Sequence, residues 1–242
     1  MVSKNQIKLI TSLQQKKYRN KHGLFVAEGP KVVNEFLNSG LKLHSAFVTE
    51  ASVFEDQNID YQLISENELK KISFLSTPNK VLALFSIPQA KEIQTDDLIL
   101  ALDDIRDPGN LGTIIRLCDW FGLKELVCST ATVDCFNPKT VQASMGSLAR
   151  INISYTDLEN FVRTTPLPTF AANMNGTNVY KAKLPKSGIL VMGNEANGIS
   201  PALEELVKHQ ITIPRFGDIQ KTESLNVATA TAILLSEFRK LL

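Results

Sequence analysis

From Asp97 onward the chain alternates short apolar runs with helix-like stretches, and this alternation most restricts what it can fold into. Strands are expected over 98–103, 125–128, 169–172, 188–192 and 210–213, and helices over 111–121, 138–144, 158–163, 201–208 and 225–241. Runs such as Leu98-Ile99-Leu100-Ala101-Leu102 show no in–out alternation, so both of their faces must be buried. Buried strands separated by helices predict an α/β fold, a mostly parallel sheet covered on both sides. Ligands of such sheets sit beyond the carboxyl ends of the strands.

The preceding residues read as a smaller α/β unit. Ile7, Ile10 and Leu13 give a helical stripe over 5–21, and 24–27 reads as a strand. A second stripe, Val32, Val33, Phe36 and Leu37, follows Pro30 at a first helical turn and stops at Gly40. Strands over 45–49, 61–64 and 81–85 and a helix over 66–72 complete the unit. Pro88 and mixed charges mark a linker, so the 242 residues divide into 1–86, a linker over 87–96, and 97–242.

At 43% hydrophobic, 21% charged and net +1, the composition is that of an ordinary globular protein and does not by itself announce a nucleic-acid binder. Its charge is unevenly spread. Residues 1–27 carry Lys4, Lys8, Lys16, Lys17, Arg19 and Lys21 and no acid before Glu28. This is either an arm that contacts phosphates or a solvated basic helix face. Cys118, Cys128 and Cys135 are odd in number and lack metal-ligand spacing, and His22, His44 and His209 are isolated, so no metal is expected. Reduced thiols and the lack of a signal peptide suit a cytoplasmic protein. No apolar run approaches a membrane span. Dinucleotide and P-loop glycine fingerprints are missing, which disfavours a nucleotide-using small-molecule enzyme.

Three polar segments follow expected strands. In the first, Asn110-Leu111-Gly112-Thr113-Ile114-Ile115-Arg116, Asn110 suits a helix cap. Arg116 stands four residues beyond Gly112 and can lean back over it toward the strand-end cleft. An ordinary cap and a surface arginine are the alternative. The second, Gly193-Asn194-Glu195-Ala196-Asn197-Gly198, puts a carboxylate on a tight glycine loop, with Ser200 and Pro201 opening the next helix; a simple turn with a solvated Glu also fits. The third, Ser224-Leu225-Asn226-Val227-Ala228, places two polar side chains before a very apolar helix, as caps or as pocket lining.

In combination and order, these segments resemble the signature motifs of the SpoU (TrmH-like) RNA ribose methyltransferases of the SPOUT superfamily. Phe25-Val26-Ala27-Glu28-Gly29-Pro30-Lys31 resembles the RNA-binding domain often found ahead of them. The resemblance implies a C-terminal trefoil knot, a homodimer, S-adenosyl-L-methionine as cofactor, and methylation of a ribose 2′-hydroxyl in structured RNA, with rRNA favoured over tRNA. A non-catalytic RNA-binding or ribosome-assembly protein on the same fold is the other reading. By position, the cofactor pocket would comprise Ala172, Asn173, Gly193, Asn194, Glu195, Gly198, Ile213, Ser224, Leu225 and Asn226. Catalytic roles would fall to Asn110 and Arg116, supported by Glu195, Ser224 and Asn226. RNA contacts would come from Lys16, Lys17, Arg19, Lys21, Lys31 and Arg116. The guanidinium of Arg116 stays protonated, so it would stabilise the developing alkoxide, leaving an RNA phosphate or a transient deprotonation to handle the proton. Ala196, where the family commonly has Gly, and the long loop over 216–223 depart from the pattern.

Overall fold

The computed structural model describes residues 1–55, 58–217 and 224–240. In chain order the elements are α1 (Lys4–Ser12), α2 (Lys16–His22), β1 (Leu24–Glu28), α3 (Pro30–Asn38), β2 (Leu43–Val48), β3 (Gln62–Leu63), α4 (Glu66–Ile72), β4 (Val81–Ser86) and β5 (Leu98–Leu102). Then follow α5 (Pro108–Trp120), β6 (Glu125–Ser129), α6 (Pro138–Ser144), β7 (Asn152–Thr156), α7 (Leu158–Thr164), β8 (Thr169–Asn178), β9 (Gly188–Met192), α8 (Pro201–Leu206), β10 (His209–Thr212) and α9 (Val227–Arg239). They gather into two compact units, Met1–Gln89 with Asp134–Arg150, and Ala90–Val133 with Ile151–Leu242.

The first unit holds a sheet of order β1-β4-β2-β3, with β4 antiparallel to both β1 and β2. Capping boxes at Ser3/Gln6 and Ser65/Glu68 start α1 and α4. The single helix expected over 5–21 is two helices. The hydroxyls of Thr11 and Ser12 bond back to the carbonyls of Ile7 and Leu9, and the helix ends at the buried Leu13. Arg19 then satisfies the carbonyls freed by the break. Its Nη1 donates to Leu13 O at 2.8 Å and Gln14 O at 2.9 Å, while Nε and Nη2 donate to Asp134 Oδ2 at 2.9 and 2.5 Å. With 2% of its surface exposed, Arg19 is a structural cation and does not contact RNA phosphates, contrary to the sequence expectation. Helix α6 packs against β1, where the rings of Phe136 and Phe25 lie 4.9 Å apart.

The second unit carries six strands in the order β10-β8-β9-β5-β6-β7, every neighbouring pair parallel. The central β5 and β9 are buried along their whole length, as their uninterrupted apolar runs require. The outer strand β7 was not expected, because Asn152, Ser154 and Thr156 break its apolar character and all five of its residues are only half-buried. Strand β8 continues to Asn178, well past the expected 172, since β10 pairs along it through a register shift between Gln210 and Ile211. Gly176 permits that approach: a Cβ there would lie 2.5 Å from the Gln210 carbonyl carbon. From β5 the chain builds outward through β6 and β7, then returns on the other side through β8 and β9. The direction reverses between β5 and β9, the place where open α/β sheets bind ligands.

Helix α5 begins at Pro108, earlier than expected, because Asp107 is the cap and accepts the Asn110 N–H at 2.7 Å. Asn110 is therefore not the cap, and its side chain is released for other contacts. Helix α9 packs on α5, and at its end Arg239 forks onto Asp97 at 2.7 and 2.9 Å and donates to Phe121 O at 3.1 Å. The hydrogen bond from Arg239, more than any other influence, holds the Asp97 carboxyl below its usual range. The Arg19→Ala variant is expected to lose about 3–5 kcal/mol of stability in urea unfolding, since it strands the Asp134 carboxylate and two carbonyls. Arg19→Lys should recover little of this, lacking the planar fork that reaches three acceptors at once.

Candidate active site

The three polar segments meet at the carboxyl ends of β5, β9 and β10. Strand β9 runs into a loop that closes on itself, Asn194 and Gly198 exchanging backbone hydrogen bonds of 2.9 and 2.8 Å. A Cβ on Gly193 would fall 2.2 Å from the Gly198 carbonyl carbon, so the closure needs glycine there, and Gly198 has φ of 70°. The Asn194 side chain braces the loop by donating to Asp104 O at 2.7 Å and accepting from the N–H groups of Ala196 and Asn197. Ser200 stands at the cap position of α8 but makes no side-chain cap bond. Its own N–H donates to the buried Asp103 carboxylate at 2.8 Å.

This loop presents Glu195. Its Oε1 accepts from Asn110 Nδ2 at 2.5 Å, and Asn110 Oδ1 accepts from Asn226 Nδ2 at 2.9 Å. Asn226 Oδ1 in turn accepts the N–H groups of Ala228 and Thr229 at 3.0 and 3.2 Å, capping α9. The dipoles of both amides point the same way, from the carboxylate of Glu195 to the positive end of the α9 macrodipole, and polarise one another. A helix begun at 225 would have consumed this cap; α9 starts at 227 instead.

Beside this chain of bonds lies a cavity of about 720 Å³, within the range of about 300–1,000 Å³ usual for small-molecule sites. Of the residues expected there, Ala172, Asn173, Gly193, Asn194, Glu195, Gly198, Ile213, Ser224 and Leu225 line it. Asn226 does not: its carbonyl is spent on the cap and its amide on Asn110. Asn110 and Arg116 also lie outside the lining. Arg116 is exposed on α5, beyond the buried Gly112, with no hydrogen bond or ion pair among the described residues. Sequence reasoning missed Glu204, Met174, Arg215 and Phe216, which also line the cavity; Glu204 follows an ordinary helix start and carries no signal in its spacing. Of the long loop, Phe216 and Gly217 are exposed, and 218–223 lie outside the described residues. Lys16, Lys17, Lys21 and Lys31 are exposed on α2 and α3 of the first unit.

Asn226→Ala is expected to cost about 1 kcal/mol through the lost cap, whereas Asn110→Ala should cost less. In a double-mutant cycle read by thermal unfolding and by ligand affinity, the pair should be clearly non-additive, because each side chain orients the other. Additive losses would mean that the amides act separately.

Residues 97–236 match the SpoU rRNA Methylase family, and residues 4–83 match the MRM3-like substrate binding domain. The 23S rRNA (guanosine(2553)-2′-O)-methyltransferase RlmP of Bacillus subtilis is 32% identical over 245 aligned residues, covering 98% of this chain and 97% of that protein. The solved structure of a TrmH-family protein from Porphyromonas gingivalis superposes with a TM-score of 0.91 at 37% identity, covering all of both chains. An AdoMet-bound rRNA methyltransferase from Sinorhizobium meliloti superposes with a TM-score of 0.86 at 30% identity, covering 100% of this chain and 97% of that one. Fold, site segments and relatives agree, and the chain belongs to the SpoU family of RNA methyltransferases.

Proposed function

We propose that this protein transfers the methyl group of S-adenosyl-L-methionine to a ribose 2′-hydroxyl of structured RNA, rRNA rather than tRNA. The observation that carries this reading is the convergence of Glu195, Asn110 and Asn226 into one bonded chain beside a cavity at the sheet's reversal point. The cavity suits the cofactor. Its glycine-closed loop lets backbone approach closely, Ile211, Ile213 and Leu225 offer apolar walls for a flat purine, and Asn173, Glu195 and Glu204 supply a few polar contacts.

When bound, S-adenosyl-L-methionine supplies a methyl group already activated on a sulfonium. The residues of this chain then have to orient the hydroxyl and stabilise the negative charge that grows on its oxygen. Arg116 suits the second task, since its protonated guanidinium is exposed and engaged with no described residue. Asn110 and Glu195 act as positioning residues, each held by the other.

A homodimer would cover Trp120, 84% exposed on α5 one helical turn beyond Arg116. A trefoil knot fits a chain that leaves the outermost strand β10 and comes back to tie Asn226 to Asn110 of α5. Residues 1–86, in one compact unit with Asp134–Arg150, would grip the RNA, 87–96 would link, and the rest of 97–242 would form the methyltransferase domain. Among the described residues no helix is long and apolar enough to cross a membrane. The enzyme would meet its ribosomal RNA in the cytoplasm.

Incubation with labelled S-adenosyl-L-methionine and either unmodified rRNA or tRNA, followed by nucleoside mass spectrometry, tests the reaction. A 2′-O-methylnucleoside is expected in rRNA, with turnover falling about 100-fold or more in Arg116→Ala. Near-normal turnover in Arg116→Lys would remove the role given to the planar guanidinium. Cofactor binding without transfer to purified rRNA would point to an assembly intermediate as substrate, and no cofactor binding to the non-catalytic RNA-binding reading. Replacing Lys16, Lys17 and Lys21 with Gln should weaken rRNA binding and flatten its salt dependence by up to about 0.9 in log–log slope per lost phosphate contact. An unchanged slope would make these lysines a solvated face only.

A further inference from the structure

We infer that Glu204 is a cofactor-positioning residue whose carboxylate accepts one of the two vicinal ribose hydroxyls of S-adenosyl-L-methionine. The inference rests on reading the cavity as the S-adenosyl-L-methionine site. Glu204 and Asn173 both line that cavity, and Glu204 Oε1 accepts from Asn173 Nδ2 and, at 3.2 Å, from Gln210 Nε2. Asn173 Oδ1 is turned the other way and accepts the Asn175 N–H at 3.3 Å. Side chains from β8 and β10 thus fix one oxygen of a half-buried carboxylate on α8. The other oxygen has no protein partner among the described residues.

A carboxylate only accepts hydrogen bonds, so the ligand group that meets Oε2 must donate. S-adenosyl-L-methionine offers the ribose diol, the adenine amine and the methionyl ammonium. The diol is favoured by what adjoins Glu204. Gln210, which holds the carboxylate, precedes Ile211, and Ile211 belongs to the apolar wall suited to the purine. The ribose is bonded directly to that purine, so it meets the polar wall first. Asn173 Oδ1, with one lone pair still open, gives a second acceptor next to Glu204 for the second hydroxyl. An acidic side chain on a ribose diol at the strand ends of an α/β sheet is a recurrent solution. The opposite polar corner, at Glu195, Asn110 and Asn226, is left for the reacting end.

Calorimetric titration of the full-length protein with three ligands tests this: S-adenosyl-L-methionine, 5′-methylthioadenosine, which lacks the amino-acid portion, and the 3′-deoxy form of 5′-methylthioadenosine. Glu204→Gln is the decisive variant. It keeps an oxygen for Asn173 and Gln210 but replaces the open acceptor with a donor, and Glu204→Ala with a melting curve checks that folding is retained. Binding of S-adenosyl-L-methionine and of 5′-methylthioadenosine should weaken alike, by about tenfold, in Glu204→Gln. The wild-type preference for 5′-methylthioadenosine over its 3′-deoxy form should disappear in the same variant. A loss confined to S-adenosyl-L-methionine would transfer Glu204 to the ammonium and overturn the inference, as would unchanged affinity for all three. Failure of the wild-type protein to bind any of them would instead overturn the reading of the cavity itself.

Discussion

The active site depends on one primary amide. Asn110 must donate to Glu195 and accept from Asn226 at once, joining segments 85 and 116 residues away from it in sequence. Few side chains carry a donor and an acceptor held apart in one plane. Aspartate would set two carboxylates against each other, and serine would not span the gap. Local bonds elsewhere leave that amide available: Asp107 takes the cap of α5, and the glycine-closed loop holds Glu195 in place without using its carboxylate. The sheet supplies the rest, since parallel strands end together and bring their following loops to one edge. Two hydrogen bonds then fix the register of the three loops, each contributing little to stability on its own and much to geometry.

Much of this was legible in the sequence. Doubly buried parallel strands reveal themselves as unbroken apolar runs, so β5, β6 and β9 could be located closely, and the three polar segments stood where strands end. The failures share a cause: they involve residues whose surroundings are supplied from far along the chain. Nothing in residues 5–21 announces a break after Ser12, because the apolar stripe continues across it and the group that satisfies the freed carbonyls is itself held by Asp134. Arg19 looked like one more lysine-type charge on a basic face for the same reason. Strand β7 lacks an apolar pattern because it is an edge strand, paired on one side only. Asp107 and Asn110 are equally good caps by composition; Pro108 was the clue that favoured the first.

The same logic explains why Glu204 escaped notice while Glu195 did not. Glu195 sits between glycines directly after a strand, where a carboxylate is conspicuous. Glu204 lies within a short helix whose other residues behave as an ordinary surface helix does, and only the pairing of β8 with β10 brings Asn173 and Gln210 to it. Sequence motifs report the loops that a sheet displays at its edge, and are silent about side chains that reach the same cavity from the flanking layer.

The burial of Arg19 against Asp134 has a consequence for the order in which the protein can take shape. The two residues are 115 apart, and the stretch that ends with Arg150 belongs to the first compact unit although it is synthesised after β5, α5 and β6. As the chain leaves the ribosome, the leading unit has a positive charge without its counter-ion and a Phe25 ring without Phe136 until those residues emerge. It cannot finish before the trailing unit has begun. Birth of this protein is therefore interleaved rather than sequential: closing the long loop completes the first unit around a segment borrowed from the middle of the second.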